Sequence, residues 1–171
     1  AASDVYKRQI AGFPHPLPGV VLEDYYLEHI VLCLSDGLLA QCGIDLDTHR
    51  GEIAAGNLSA LRGCPFVLGS AEDIGGRIGR GLLRSSGVSP VSKATSENVE
   101  TLLALCEQGV GACFCPENLL HTALSPAQLA HLHILPLCPE ASYPICFGYL
   151  SRSYPWSVLS EFIRIAREQT A

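Results

Sequence analysis

The groups that could do chemistry in this chain are eight cysteines, six histidines and a few small polar residues where strands should meet helices. The cysteines are Cys33, Cys42, Cys64, Cys106, Cys113, Cys115, Cys138 and Cys146. None forms a CxxC pair, and a zinc site wants paired short spacings. Cys113 and Cys115 stand two apart and would share one face of a strand. Most of the cysteines sit in apolar runs, where a free thiol behaves as a small hydrophobe. A chain of this length needs no stapling, so they are predicted to be reduced and buried, as in a cytoplasmic protein. Of the histidines, only His131 and His133 lie close together, and a lone pair makes a poor metal site. Cys115 could be the nucleophile of a Cys/His hydrolase, but no base or orienting group can be placed beside it. No catalytic residue, metal or cofactor is therefore expected. Gly76-x-x-Gly79-x-Gly81 has the wrong order for a dinucleotide fingerprint and falls inside a helix.

Three strand-to-helix junctions remain as candidate binding positions: Gly69-Ser70-Ala71, Thr95-Ser96 before Glu97, and Phe114-Cys115-Pro116. A helix N-terminus offers unpaired backbone N–H groups and a positive dipole end, which suits a small anion or carboxylate. Ser70 and Ser96 could equally serve only as caps of their own helices.

The pattern that would position these residues is regular. Strands are predicted at Val20 to Tyr26 and His29 to Ser35, the second apolar on both faces. Asp36 to Cys42 reads as a short helix, Gly43 to Gly56 as a polar loop, and Leu58 to Leu61 as one helical turn. Pro65 to Leu68 is a buried strand. Ser70 opens a helix with Asp73 as its capping-box partner, an apolar stripe of Ile74, Ile78 and Leu82, and a stop at Gly87. Its four glycines, Gly75, Gly76, Gly79 and Gly81, each cost up to about 1 kcal/mol against alanine. Pro90 to Ala94 is a strand. Glu97 to Gln108 is a helix with Ser96 as N-cap and Val99, Leu102, Leu103 and Cys106 as its stripe. Gly111 to Cys115 is a strand, and a helix begins at Pro116 and runs to about Ala123. Leu132 to Leu137 and Ile145 to Leu150 are strands. Pro155 starts a last helix facing inward with Trp156, Leu159, Phe162, Ile163 and Ala166. Alternating strands and helices imply an α/β fold with a mostly parallel sheet, helices on both faces and ligands at the strands' carboxyl ends.

Composition excludes several functions. The chain has 171 residues, 48% of them hydrophobic, which is enough for a core. Seventeen acids against eleven Lys plus Arg give a net charge of −6, the wrong sign for non-specific nucleic-acid binding. Apolar runs are too short to cross a bilayer, and no secretory leader is recognisable. Residues 1–9 have no period or turn logic. They read as a non-native scar or a disordered leader, with the native chain extending further upstream.

The run from Ala94 through the helix to Gly109-Val110-Gly111 and on to Cys115-Pro116-Glu117 closely resembles the effector-binding domain of LysR-type transcriptional regulators. So do Leu58 to Leu68 and Leu22 to Leu34, and the resemblance extends in order from about Leu17 to Arg167. It implies a type 2 periplasmic-binding-protein fold, with two α/β subdomains around a cleft. Residues 58–150 would form the second subdomain, and 10–57 with 151–171 the remnant of an incomplete first one. The resemblance further implies that a small metabolite, anionic by the chemistry of the junctions, binds in the interlobe cleft and biases the regulator's conformation. Gly69, Ser70, Ala71, Thr95, Ser96, Phe114, Cys115 and Pro116 are the positions implied to contact it. DNA would be read only through a winged helix-turn-helix absent from this chain, which has no basic helix of its own. The full-length regulator is expected to be a cytoplasmic homo-oligomer. The glycine-rich helix, of a kind that often joins the dimer interface in this family, weakens that expectation for the chain alone. Two other functions use the same fold: a solute-binding protein serving a transporter, which needs an export signal or lipid anchor, and an enzyme, which needs a general base.

Overall fold

A 16-residue strand, β2 (Val20–Ser35), runs unbroken where two strands are predicted. Glu23, Asp24, Glu28 and His29 interrupt its apolar pattern, but no glycine or proline stops it. A computed structural model describes residues 8–12, 18–151 and 157–168, with only the backbone of Arg8, Gln9 and His121. The chain divides into two compact units. One ends at Glu28 and resumes at Tyr143; the other is His29–Ser142. The sequence places its subdomain junctions elsewhere, at 57/58 and 150/151.

In the first unit, β1 (Arg8–Gly12) pairs antiparallel with β7 (Ser142–Leu150), Ile10 opposite Phe147. Arg8 and Gln9 thus belong to a strand, although the sequence alone sets them aside as scar. Helix α7 (Ser157–Glu168) is amphipathic as predicted, and Ile163 is its buried residue. Phe162 meets the Phe147 ring edge-on at 6.1 Å yet stays half exposed. Arg167 donates to Glu23 and to the Asp24 carbonyl, and the Tyr25 hydroxyl to the Ala166 carbonyl. Pro155 and Trp156 lie outside the described residues.

The second unit holds the mostly parallel sheet. Here β3 (Pro65–Gly69) and β4 (Val91–Ser96) run parallel, and a parallel bridge from Phe66 to Ala112 joins β3 to the start of β5 (Cys113–Pro116). The second half of β2 is antiparallel to β5 on one side and to β6 (Leu132–Pro136) on the other. The order is β4-β3-β5-β2-β6, with β2 the single antiparallel member.

Strand alternation sorts the core into two faces. Val31, Cys33, Val67, Cys113 and Cys115 pack with Leu102, Leu103 and Cys106 of α4 (Val99–Glu107) and Leu120 of α5 (Glu117–Ala123). Ile30, Phe66 and Phe114 face the other way, and Ile30 and Phe114 meet α3 (Ile74–Ser85). The buried residues of α3 are Gly75, Gly76, Gly79 and Leu83; the predicted stripe of Ile74, Ile78 and Leu82 is only half buried.

Where the sequence predicts a loop, α2 (Leu46–Ala54) follows α1 (Asp36–Cys42). Only Leu46 and Ile53, seven apart and so on one face, are buried in α2, too few for a periodic signal. Its start is written in Asp45, whose carboxylate accepts from the Thr48 hydroxyl at 2.7 Å and the Asp47 N–H at 3.0 Å. A further short helix, α6 (Pro126–Leu129), is capped by Ser125 and Gln128 reciprocally.

All eight cysteines are free thiols, six of them buried and Cys42 and Cys138 half-buried. Hydrogen bonds with Cys106 and Cys33, and then burial, push the Cys113 thiol well above its ordinary range. His133 pairs with Asp36 at 2.6 Å. Among the described residues no helix is long and apolar enough to cross a membrane.

Candidate functional site

Strand register brings the first two junctions together. In the parallel pairing of β3 and β4, Leu68 stands opposite Thr95 and Gly69 opposite Ser96. The carboxyl ends of the two strands therefore open side by side, each followed by a turn and a helix, the place where ligands sit in such sheets. Gly69, Ser70 and Ser96 are half-buried, while Ala71 and Thr95 are exposed.

Each serine shapes its turn rather than capping its helix. The Ser70 hydroxyl accepts from the Glu72 N–H at 3.2 Å, and the Ser96 hydroxyl from the Asn98 N–H at 3.0 Å. The caps come two or three residues later than predicted. Asp73 accepts from the Gly76 N–H at 2.9 Å, and Asn98 from the Thr101 N–H at 3.0 Å. Both serines were natural cap candidates by type, but the chain spends two or three more residues turning before each helix begins. Asp73→Ala and Asn98→Ala are each expected to cost about 1 kcal/mol in urea unfolding, as lost N-caps do. Ser70→Ala and Ser96→Ala should stay within about 0.5 kcal/mol, as substitutions away from such features do.

The third junction splits. Phe114 faces α3, stacks on Phe66 at 6.0 Å and covers Gly79. Cys115 points to the opposite face, fully buried with its sulfur 3.6 Å from that of Cys33. Pro116 is half-buried, sits opposite Ile30 and occupies the N-cap position of α5. Phe114 can support the carboxyl end of the sheet from beneath, whereas the Cys115 thiol lies within the core.

One residue at the site escapes the sequence: Arg80. Its guanidinium reaches back along α3 and donates to the Gly69 carbonyl at 2.8 Å, fixing a positive charge at the end of β3. A cavity of about 420 Å³ lies along the α3–β4 connection, lined by Arg80, Arg84, Gly87, Val88, Ser89 and Pro90. Among the described residues no carboxylate pairs with Arg77, Arg80 or Arg84. The signal was available: residues 74–96 carry Arg77, Arg80, Arg84 and Lys93 and no acid, in a chain of net charge −6. The turns on either side of this stretch carry Glu72, Asp73 and Glu97. No group of three or more His, Cys, Asp or Glu among the described residues is arranged to hold a metal.

The comparisons agree with this architecture. The regulator HinK of Pseudomonas aeruginosa, of the LysR family, superposes with a TM-score of 0.73 at 16% identity, over 98% of this chain and 55% of that one. The regulatory domain of CcmR from Synechocystis PCC6803, in complex with 2-PG, gives 0.72 at 12% identity, covering 99% and 76%. The effector-binding domain of QuiR in complex with shikimate gives 0.70 at 12%, covering 98% and 73%. At these identities the likeness is one of fold, the periplasmic-binding-protein-like fold of LysR regulatory domains. The chain spans about half the length of the full-length regulators it matches. No curated protein matches the sequence. The family model described as the LysR substrate binding domain matches residues 10–171, and the chain belongs to that family of transcriptional-regulator domains.

Proposed function

We propose that this chain is the effector-sensing domain of a LysR-type regulator, and that a small anionic metabolite binds at the carboxyl ends of β3 and β4. The observation that carries the reading is the register of Gly69 with Ser96, which sets two serine-bearing turns and two helix N-termini side by side. Positive dipole ends and oriented hydroxyls favour a compact anion, and Arg80 adds a full charge at the end of β3. Ser70 and Ser96 supply hydroxyl donors, Gly69, Ala71 and Thr95 the backbone around them, and Phe114 and Pro116 the support; Cys115 contributes only its backbone. The solved domains of CcmR and QuiR hold 2-PG and shikimate. The regulator acts in the cytoplasm as a homo-oligomer and reads DNA through a separate domain, as full-length CbnR is seen to engage its target DNA.

A ligand that binds the native state raises the melting temperature by mass action, by the equivalent of about 2.7 kcal/mol at a hundredfold excess over Kd. Screened against small carboxylates and phosphorylated acids, the purified chain should show a selective rise that Ser70→Ala or Ser96→Ala removes without lowering the unliganded melting point. A rise unchanged in both variants, or no rise with any anion, overturns this site.

A further inference from the structure

Cys42 and Cys64 come from separate elements of the second unit, the end of α1 and the residue before β3. Their sulfurs lie 3.7 Å apart, the Cys42 thiol directed at Cys64 and the Cys64 thiol at the Pro65 carbonyl. Each stands beside a left-handed glycine: Gly43 at φ +64° and Gly63 at φ +82°, both with open space around them. A disulfide needs a sulfur separation of about 2.0 Å, so the two must close by about 1.7 Å. Two turns at the ends of elements can supply that movement. The other close thiols, Cys33, Cys106, Cys113 and Cys115, lie wholly buried in the core and cannot. Cys33 and Cys115 are 3.6 Å apart but wholly buried, and their strands are locked by the β2–β5 ladder. Access separates the two sulfurs of the first pair as well: Cys42 is half-buried, Cys64 only 2% exposed.

We propose that Cys42 and Cys64 form a dithiol that a peroxide converts into a disulfide tying α1 to β3. The Cys42 thiolate attacks a peroxide oxygen; the O–O bond breaks, the departing oxygen leaves as water or alcohol after taking a proton, and Cys42 becomes a sulfenic acid. The Cys64 sulfur then attacks the Cys42 sulfur; an S–S bond forms, the S–O bond breaks, and hydroxide leaves as water with the Cys64 proton. The two thiols lose two electrons and the peroxide gains them. Burial, together with the neighbouring Cys42, pushes the Cys64 thiol up to about 12, so oxidation begins at Cys42 and Cys64 resolves it.

The test treats the purified chain with hydrogen peroxide, blocks remaining thiols and maps the peptides. Cleavage before Asp36, Asp45 and Asp73 and after Arg62 isolates Cys42 from Cys33 and from Cys64. The expected result is one linked pair, residues 36–44 with 63–72, lighter by two hydrogens and restored by dithiothreitol. It should be absent in Cys42→Ser, while Cys64→Ser should leave Cys42 as a sulfenic acid that dimedone traps. The link closes a loop, so the oxidised wild type should melt several degrees higher and Cys42→Ser should not. A first link between Cys33 and Cys115, a first link through Cys138, or Cys42 carried to sulfinic acid with no link would each overturn the proposal.

Discussion

Alanine at Gly79 is expected to destabilise the chain by about 1–3 kcal/mol, and alanine at Gly76 by at least as much, as overpacking in a closed site does. Alanine at Gly81 is expected to stabilise it by about 0.5–1 kcal/mol, the ordinary helix gain. The three positions share one helix and one substitution, so propensity predicts a gain at all of them. Packing reverses the sign at two. A Cβ at Gly79 would stand 2.4 Å from the Phe114 ring, and one at Gly76 would stand 2.1 Å from the Ser70 carbonyl oxygen. The second clash is with backbone, which cannot swing aside. At Gly81 nothing lies within 4 Å. Urea midpoints at constant slope measure all three directly. A higher midpoint for Gly79→Ala would remove Phe114 from beneath α3. The consequence reaches the site: Gly76 admits the Ser70 turn, so Gly76→Ala should also weaken any ligand held there.

The same helix shows what the sequence could and could not tell. Four glycines in one helix read as weakness, because propensity is local and visible while a close approach is neither. Ile74, Ile78 and Leu82 formed the visible stripe, yet the face that meets the sheet is the one with almost no side chains. Elements with strong periodic signals were legible: α4 with Leu102, Leu103 and Cys106, and β3 with its run of buried residues. The polar helix α2 was not, since two buried residues make no period and only Asp45 announces it. The antiparallel direction of β2 was invisible as well, because direction is set by connections far along the chain. At the site, residue types at the strand ends could be read, since glycine and serine there follow from turn chemistry. Their pairing could not, because the Gly69–Ser96 register is a contact across 27 positions. Arg80 was missed for the same reason. Its role depends on a side chain reaching back past the start of α3 to Gly69, eleven residues away.

Phe66→Ala is expected to cost about 3–5 kcal/mol, the largest single effect in the second unit. Phe66 has no exposed surface, and its ring lies nearly parallel to that of Phe114, at 8°. Its backbone is equally committed. Val67 donates to the Ala112 carbonyl at 2.9 Å and Ala112 to the Pro65 carbonyl at 2.8 Å, which holds β3 to the chain entering β5. Gly111 packs directly on the Phe66 backbone, which a Cβ there would meet at 2.8 Å. A cavity that cannot collapse gives the upper part of the range. Domains of this size are stable by about 5–15 kcal/mol, so the variant should retain a much shortened folded baseline in urea. Phe66→Leu, which keeps most of the volume, should lose well under half as much. A double-mutant cycle with Phe114→Ala should show a coupling of about 0.5–1.5 kcal/mol, because the two rings are in contact. Additive losses would mean that the rings do not support one another. A Phe66→Ala loss below about 1 kcal/mol would mean that the site relaxes freely, contrary to close packing in the interior. β3 ends at Gly69, so the ring that anchors this strand also fixes the height at which Gly69 meets Ser96. Ligand-induced stabilisation should therefore fall in Phe66→Ala even under conditions where the variant remains folded.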